Sequence, residues 1–136
     1  MTEAEFLAKW QAERHVYDAW GHFVRNEIQE ALKAVDPSLD VASFFKIPPV
    51  PRVKSDDSLL GKAFHREKPY TDPYQNIEDK VGVRFVVLLT ADILRIQAVI
   101  DASTSWGASL DKDFEADRDS RPLEFAYQSK HYVVKS

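Results

Sequence analysis

Residues 81–89 read VGVRFVVLL, so that from Val81 to Leu89 nearly every side chain is apolar and either β-branched or aromatic. A run without polar alternation predicts a strand covered on both faces, at the centre of a sheet. Arg84 interrupts it. A guanidinium inside a buried strand is costly unless it is paired or bound to an anion. The residue therefore predicts either an ion pair with Asp79 or Glu78 or an anionic ligand, and composition alone weighs the two equally. Asp79, just ahead of the run, can instead hold Mg2+ with phosphate oxygens, because that ion favours one or two carboxylates plus substrate and water.

Upstream, Asp56 or Asp57 is placed to cap a helix running to about Lys68, with Leu60, Ala63 and Phe64 on its apolar side, and Pro69 to Pro73 reads as a loop. The segment Ile47-Pro48-Pro49-Val50-Pro51 cannot continue a helix and delivers the chain extended into a short strand, Arg52-Val53-Lys54. Further back, Thr2-Glu3-Ala4-Glu5 has the form of a capping box, and Phe6, Trp10, Tyr17, Trp20, Val24, Ile28 and Leu32 recur at helical steps. They predict one long amphipathic helix ending before Asp36-Pro37, its two tryptophans packed in a core. Downstream, Thr90 is expected to cap a helix through Ala102 with Ile93, Ile96 and Ile100 facing inward. A strand around Ala108 to Phe114 follows, and after a polar loop a last strand from Tyr127 to Val134. Residues 1–44 are thus expected as a helical segment packed on one α+β domain, residues 45–136, whose mixed β-sheet, α/β-like in its alternation, is flanked by helices.

With 136 residues the chain can bury one modest core. Three Trp, eight Phe and five Tyr among a minority of charged residues argue against disorder. The absence of cysteine excludes disulfides, thiolate zinc sites and cysteine redox chemistry, as fits a cytoplasmic protein. The longest wholly apolar run, about Phe85 to Leu89, is too short to span a bilayer and the N-terminus is acidic, so no membrane or export route is expected. A formal charge of −4 argues against broad nucleic-acid binding but leaves room for a local basic patch.

That patch is concentrated between Arg52 and Arg66. Arg52 and Lys54 stand two apart on the expected strand and point the same way. Ser58, Lys62 and Arg66 follow at steps of four on the helix, with His65 beside them. Together they form a cradle for phosphate, strengthened by the helix N-terminus, or else a solvated basic face. On the last strand Tyr127, Ser129 and His131 share one face, able to stack a base and contact its phosphates or simply to form a half-exposed sheet surface. His15 and His22 read as surface or packing residues, and no Walker A loop, GxGxxG, GxSxG or HExxH is present.

In order, Arg52-x-Lys54-x3-Ser58-x3-Lys62, Asp79-x2-Gly82-x-Arg84 and Ala126-Tyr127-Gln128-Ser129-Lys130-His131 resemble the successive motifs of the RelA/SpoT synthetase domain, over roughly residues 45 to 136. The resemblance implies a nucleotidyltransferase-like fold and a magnesium-dependent GTP diphosphokinase. In this reading Arg52, Lys54, Ser58, Lys62 and Arg66 hold the ATP phosphates with Arg84 assisting, and Asp79 ligates Mg2+. Tyr127 stacks on the guanine of GDP or GTP, with Ser129 and His131 completing the acceptor site. The acceptor 3′-hydroxyl attacks the β-phosphorus of ATP and AMP leaves, giving (p)ppGpp.

Three departures accompany the match. The family's second metal-binding carboxylate, a Glu on a later strand, is expected beyond Ser136, so the resemblance implies a chain truncated before it. Phe125 and Ala126 stand where the family has Asn and Gly, and His65 with Arg66 replaces a basic residue three places after Lys62. The resemblance thus carries two alternatives, a toxic small synthetase that pyrophosphorylates the 3′ CCA end of tRNA and a non-catalytic nucleotide-binding module. It also admits a homo-oligomer.

Overall fold

The computed structural model describes residues 1–65, 72–77, 80–113 and 130–135. Along the chain these form α1 (Glu3–Val35), α2 (Val41–Phe44), β1 (Arg52–Val53), α3 (Asp56–Leu60), a π-turn (Gly61–His65), α4 (Pro73–Asn76), β2 (Val81–Gly82), α5 (Thr90–Ala102), β3 (Gly107–Asp113) and β4 (Lys130–Lys135). The architecture mixes helices with small sheets: among the described residues the sheets are two antiparallel pairs, β1–β2 and β3–β4. The chain gathers into two compact units, Met1–Glu27 with Pro49–Arg84 and Ile28–Pro48 with Phe85–Ser136. No described helix is long and apolar enough to cross a membrane.

The first helix forms as its pattern demands. Thr2 Oγ1 accepts the Glu5 N–H at 3.1 Å, and the helix stops before Pro37, which disfavours helical geometry at Asp36. Phe6, Trp10, Val24, Ile28 and Leu32 of its stripe are buried. Trp20 is only half-buried and stacks on Phe23 with ring centres 5.5 Å apart, so one of the two tryptophans expected in the core leaves it in part.

In the first unit, Phe6 and Trp10 of α1 close over Leu59, Ala63, Tyr74 and Ile77, with Val53, Leu60 and Phe64 packed at the margin. Phe6 meets Phe64 and Tyr74 edge to face at 5.5 and 5.3 Å, the arrangement aromatic quadrupoles favour. Ser55, rather than Asp56 or Asp57, caps α3, its hydroxyl accepting the Ser58 N–H at 3.2 Å. Asp56 and Asp57 then occupy the first turn, where the helix dipole favours carboxylates. The ribbon pairs Arg52 with Gly82 and Val53 with Val81.

In the second unit, Ile28, Leu32, Phe45, Ile96, Val99, Ile100 and Trp106 are buried, and Trp106 Nε1–H donates to the Ile100 carbonyl at 3.3 Å. Six residue pairs join β3 to β4, with a bulge between Leu110 and Lys112. The helix α5 spans the residues expected, but its N-cap is Leu89, whose side chain makes no cap bond, and Thr90 is its first helical residue.

The largest correction concerns residues 81–89. They do not form a central strand: β2 ends at Gly82, and beyond it only Val86 bridges, to Ile47. A strand covered on both faces needs neighbours on both edges, whereas Val81–Gly82 has β1 alone among the described residues and Leu88 and Leu89 are 73% and 57% exposed. Of the mixed sheet expected from the alternation, the described residues form two antiparallel ribbons.

Candidate functional site

The face of the β1–β2 ribbon opposite the core carries two of the expected cationic residues, and a third follows just past its end. Val53 packs against the core, so strand alternation turns Arg52 and Lys54 to the other side. Directly opposite Arg52 is Gly82, and a Cβ placed there meets none of the described residues within 4 Å, so this patch of ribbon is uncovered among them. Arg84 stands two residues along from Gly82, past the end of β2. The Lys54 N–H donates to the Lys80 carbonyl at 2.8 Å and carries the pairing one step past β1. Arg84 is exposed, against the expectation of a buried charge, because the strand around it is not built. Among the described residues neither Arg52 nor Arg84 has an ion-pair partner.

On its other side the ribbon lies against α1 without space to spare. A Cβ at Gly21 would stand 2.8 Å from Val81 Cγ2 and 2.9 Å from Pro51 Cβ, so only glycine admits this approach.

Ser58, exposed, and Lys62, half-buried, follow on α3 and the π-turn. The π-turn interrupts the arc on which Ser58, Lys62 and Arg66 were expected to align, since its bonds span one residue more than those of an α-turn. Nor is the N-terminus of α3 an open anion site: Ser55 takes the Ser58 N–H and two aspartates fill the first turn. His65 Nε2 lies 3.0 Å from Glu3. His15 is exposed, and His22 Nδ1 lies 2.9 Å from the Asp18 carbonyl. Arg66, Asp79, Tyr127 and Ser129 lie outside the described residues, as does the side chain of His131, whose backbone pairs with Lys112 on the β3–β4 ribbon. Among the described residues no three histidine or carboxylate side chains converge on a metal position.

A cluster that the sequence did not single out adjoins the ribbon. Lys80 is the one buried charged side chain among the described residues. Its ammonium lies 4.3 Å from the ring centre of Tyr74 and 5.2 Å from that of Tyr17. Burial holds it below the ordinary lysine range; Glu13 and Asp72 oppose that shift and Lys9 adds to it. The Tyr74 hydroxyl donates to Glu13 at 2.5 Å, and burial, followed by this bond, pushes its pKa up. Lys9 lies 4.4 Å from the centre of the same ring. Only a lysine directly ahead of an apolar run hinted at this in the sequence.

The second unit holds an open cleft of about 460 Å³ lined by Asp36, Leu39, Phe44, Leu88, Asp92 and Arg95 among others. Arg95 is spent within it, 3.2 Å from Asp36 and 3.6 Å from Asp92 and above the Phe44 ring. The Ser38 hydroxyl and N–H, and then Arg95, hold Asp36 below the usual carboxylate range. The arrangement is a clamp between α5 and the end of α1.

No protein-family model, curated protein or solved structure matches this chain.

Proposed function

We propose that the open face of the β1–β2 ribbon binds the phosphates of ATP, as the ATP side of a RelA/SpoT-type pyrophosphokinase with a nucleotidyltransferase-like fold. One observation carries the reading: Arg52 stands opposite Gly82, whose outer face is open among the described residues, with Lys54 and exposed Arg84 each two residues along the chain from one of that pair. Two exposed guanidiniums with no carboxylate partner among the described residues supply charge and forked donors, and the missing side chain at Gly82 lets a phosphate approach the backbone closely.

In the proposed reaction the 3′-hydroxyl oxygen of GDP or GTP bonds to the β-phosphorus of ATP. The bond from that phosphorus to the oxygen bridging to the α-phosphate breaks, and AMP leaves with that oxygen while the hydroxyl proton passes to solvent. Negative charge grows on the bridging and transferred oxygens, and fixed cations lower its cost. Magnesium, with Asp79 as its assigned ligand, would add a Lewis acid at the same phosphates. Tyr127, Ser129 and His131 remain the acceptor-side assignments.

The test is a calorimetric titration of an ATP analogue with a non-hydrolysable α,β bridge, in magnesium, into the wild type, Arg52→Ala and Arg84→Ala. Both side chains are exposed, so folding should change by no more than about 0.5 kcal/mol. Each lost charge-assisted bond should weaken binding roughly ten- to a hundred-fold. Unchanged affinity in both variants removes the ribbon from the site.

A further inference from the structure

We propose that Lys80 is a positioning residue for this phosphate face, holding the β1–β2 register through a buried ammonium clamped by two aromatic rings. The inference rests on the preceding reading for its consequence in binding, but not for its structural content. An ammonium buried without an ion pair is costly, and an unbranched apolar side chain of similar length would fill the same space without that cost. What the charge adds is direction, because a cation is attracted to the faces of Tyr17 and Tyr74 and a methylene chain is not.

Both rings are themselves fixed. Tyr17 belongs to α1 and lies against Trp10 at 5.5 Å, while Tyr74 of α4 is 1% exposed and tied to Glu13 by its hydroxyl. The backbone of the same lysine faces the other way, and its carbonyl accepts the Lys54 N–H at 2.8 Å. Lys80 is thus linked at its side chain to the core and at its carbonyl to β1, two residues from Gly82. Since β1 and β2 share only two residue pairs, this bond is a large part of what keeps Arg52 opposite Gly82.

The experiment compares Lys80→Met, Tyr17→Leu and Tyr74→Phe with the wild type by thermal unfolding, amide exchange at Lys54 and titration of the ATP analogue. Lys80→Met should unfold at the wild-type temperature or above it, while exchange at Lys54 speeds up roughly tenfold and binding weakens by about the same factor. Tyr17→Leu removes one ring and should give the same exchange and binding effects in smaller measure, which covers the case of Lys80→Met failing to fold. Tyr74→Phe keeps the ring but loses the bond to Glu13, so it should unfold earlier with exchange and affinity preserved.

Unchanged exchange at Lys54 in both Lys80→Met and Tyr17→Leu overturns the proposal. A parallel loss of unfolding temperature and affinity in Lys80→Met also overturns it, since that is the signature of packing alone. Faster exchange together with a wild type that does not bind the analogue upholds the anchoring role and removes the phosphate reading instead.

Discussion

Val81–Arg84 and Phe85–Leu89 are consecutive and similar in composition, yet they are treated differently by the fold. The first stretch has a partner strand and a seat: Val81 pairs with Val53, and its side chain lies where Gly21 of α1 carries no Cβ. Among the described residues the second has a single bridge from Val86 to Ile47 and one ring contact, Phe85 on Phe45 at 5.4 Å, and it ends in two exposed leucines. A β-branched run becomes a strand only where a second backbone offers its donors and acceptors and a bare surface receives the side chains. Hydrophobicity calls for burial but does not supply the partner.

Three substitutions test this contrast. The largest effect is expected at Phe45, 5% exposed and the one ring on which Phe85 rests: Phe45→Ala should cost about 3 kcal/mol or more in urea unfolding. A cost below about 1 kcal/mol, within the range of surface changes, would mean that the second stretch has no seat at all. Next is Gly21→Ala. An alanine in a helix normally gains about 1 kcal/mol over glycine, but overpacking costs about 1–3 kcal/mol, and contacts of 2.8 and 2.9 Å, one of them to a rigid proline ring, let the second term win. A net loss of about 1 kcal/mol is expected, and a net gain would show that Val81 does not lie on Gly21. The smallest effect should come from Leu88→Ser, within about 0.5 kcal/mol for a side chain 73% exposed. A loss above about 2 kcal/mol would restore the second stretch to a core.

Local signals were the legible part of this fold. The capping threonine, the apolar stripe and Asp36-Pro37 define α1, and the isoleucine spacing of α5 finds Ile96 and Ile100 buried. The prolines ahead of Arg52 deliver a strand where expected, and the basic residues of the candidate face were readable from their two-residue spacing. What escaped depends on distant partners. Residues 81–89 read the same whether one strand or two lie beside them. The π-turn after Leu60 has no distinctive composition, and Lys80 acquires its burial from Tyr17 and Tyr74, far away in sequence. Gly82 was quoted as part of a motif, but its openness follows from the absence of a covering element.

That openness gives the most direct test of the central claim, that the uncovered ribbon face binds nucleotide phosphates. Valine at position 82 meets no neighbour within 4 Å at its Cβ and suits an extended backbone, so Gly82→Val should fold with stability equal to the wild type or slightly higher. Its side chain would nevertheless stand opposite Arg52 on the proposed phosphate face, and titration with the ATP analogue in magnesium should show at least a roughly tenfold weaker complex. A folded Gly82→Val protein that binds the analogue as tightly as the wild type would contradict the assignment of this face.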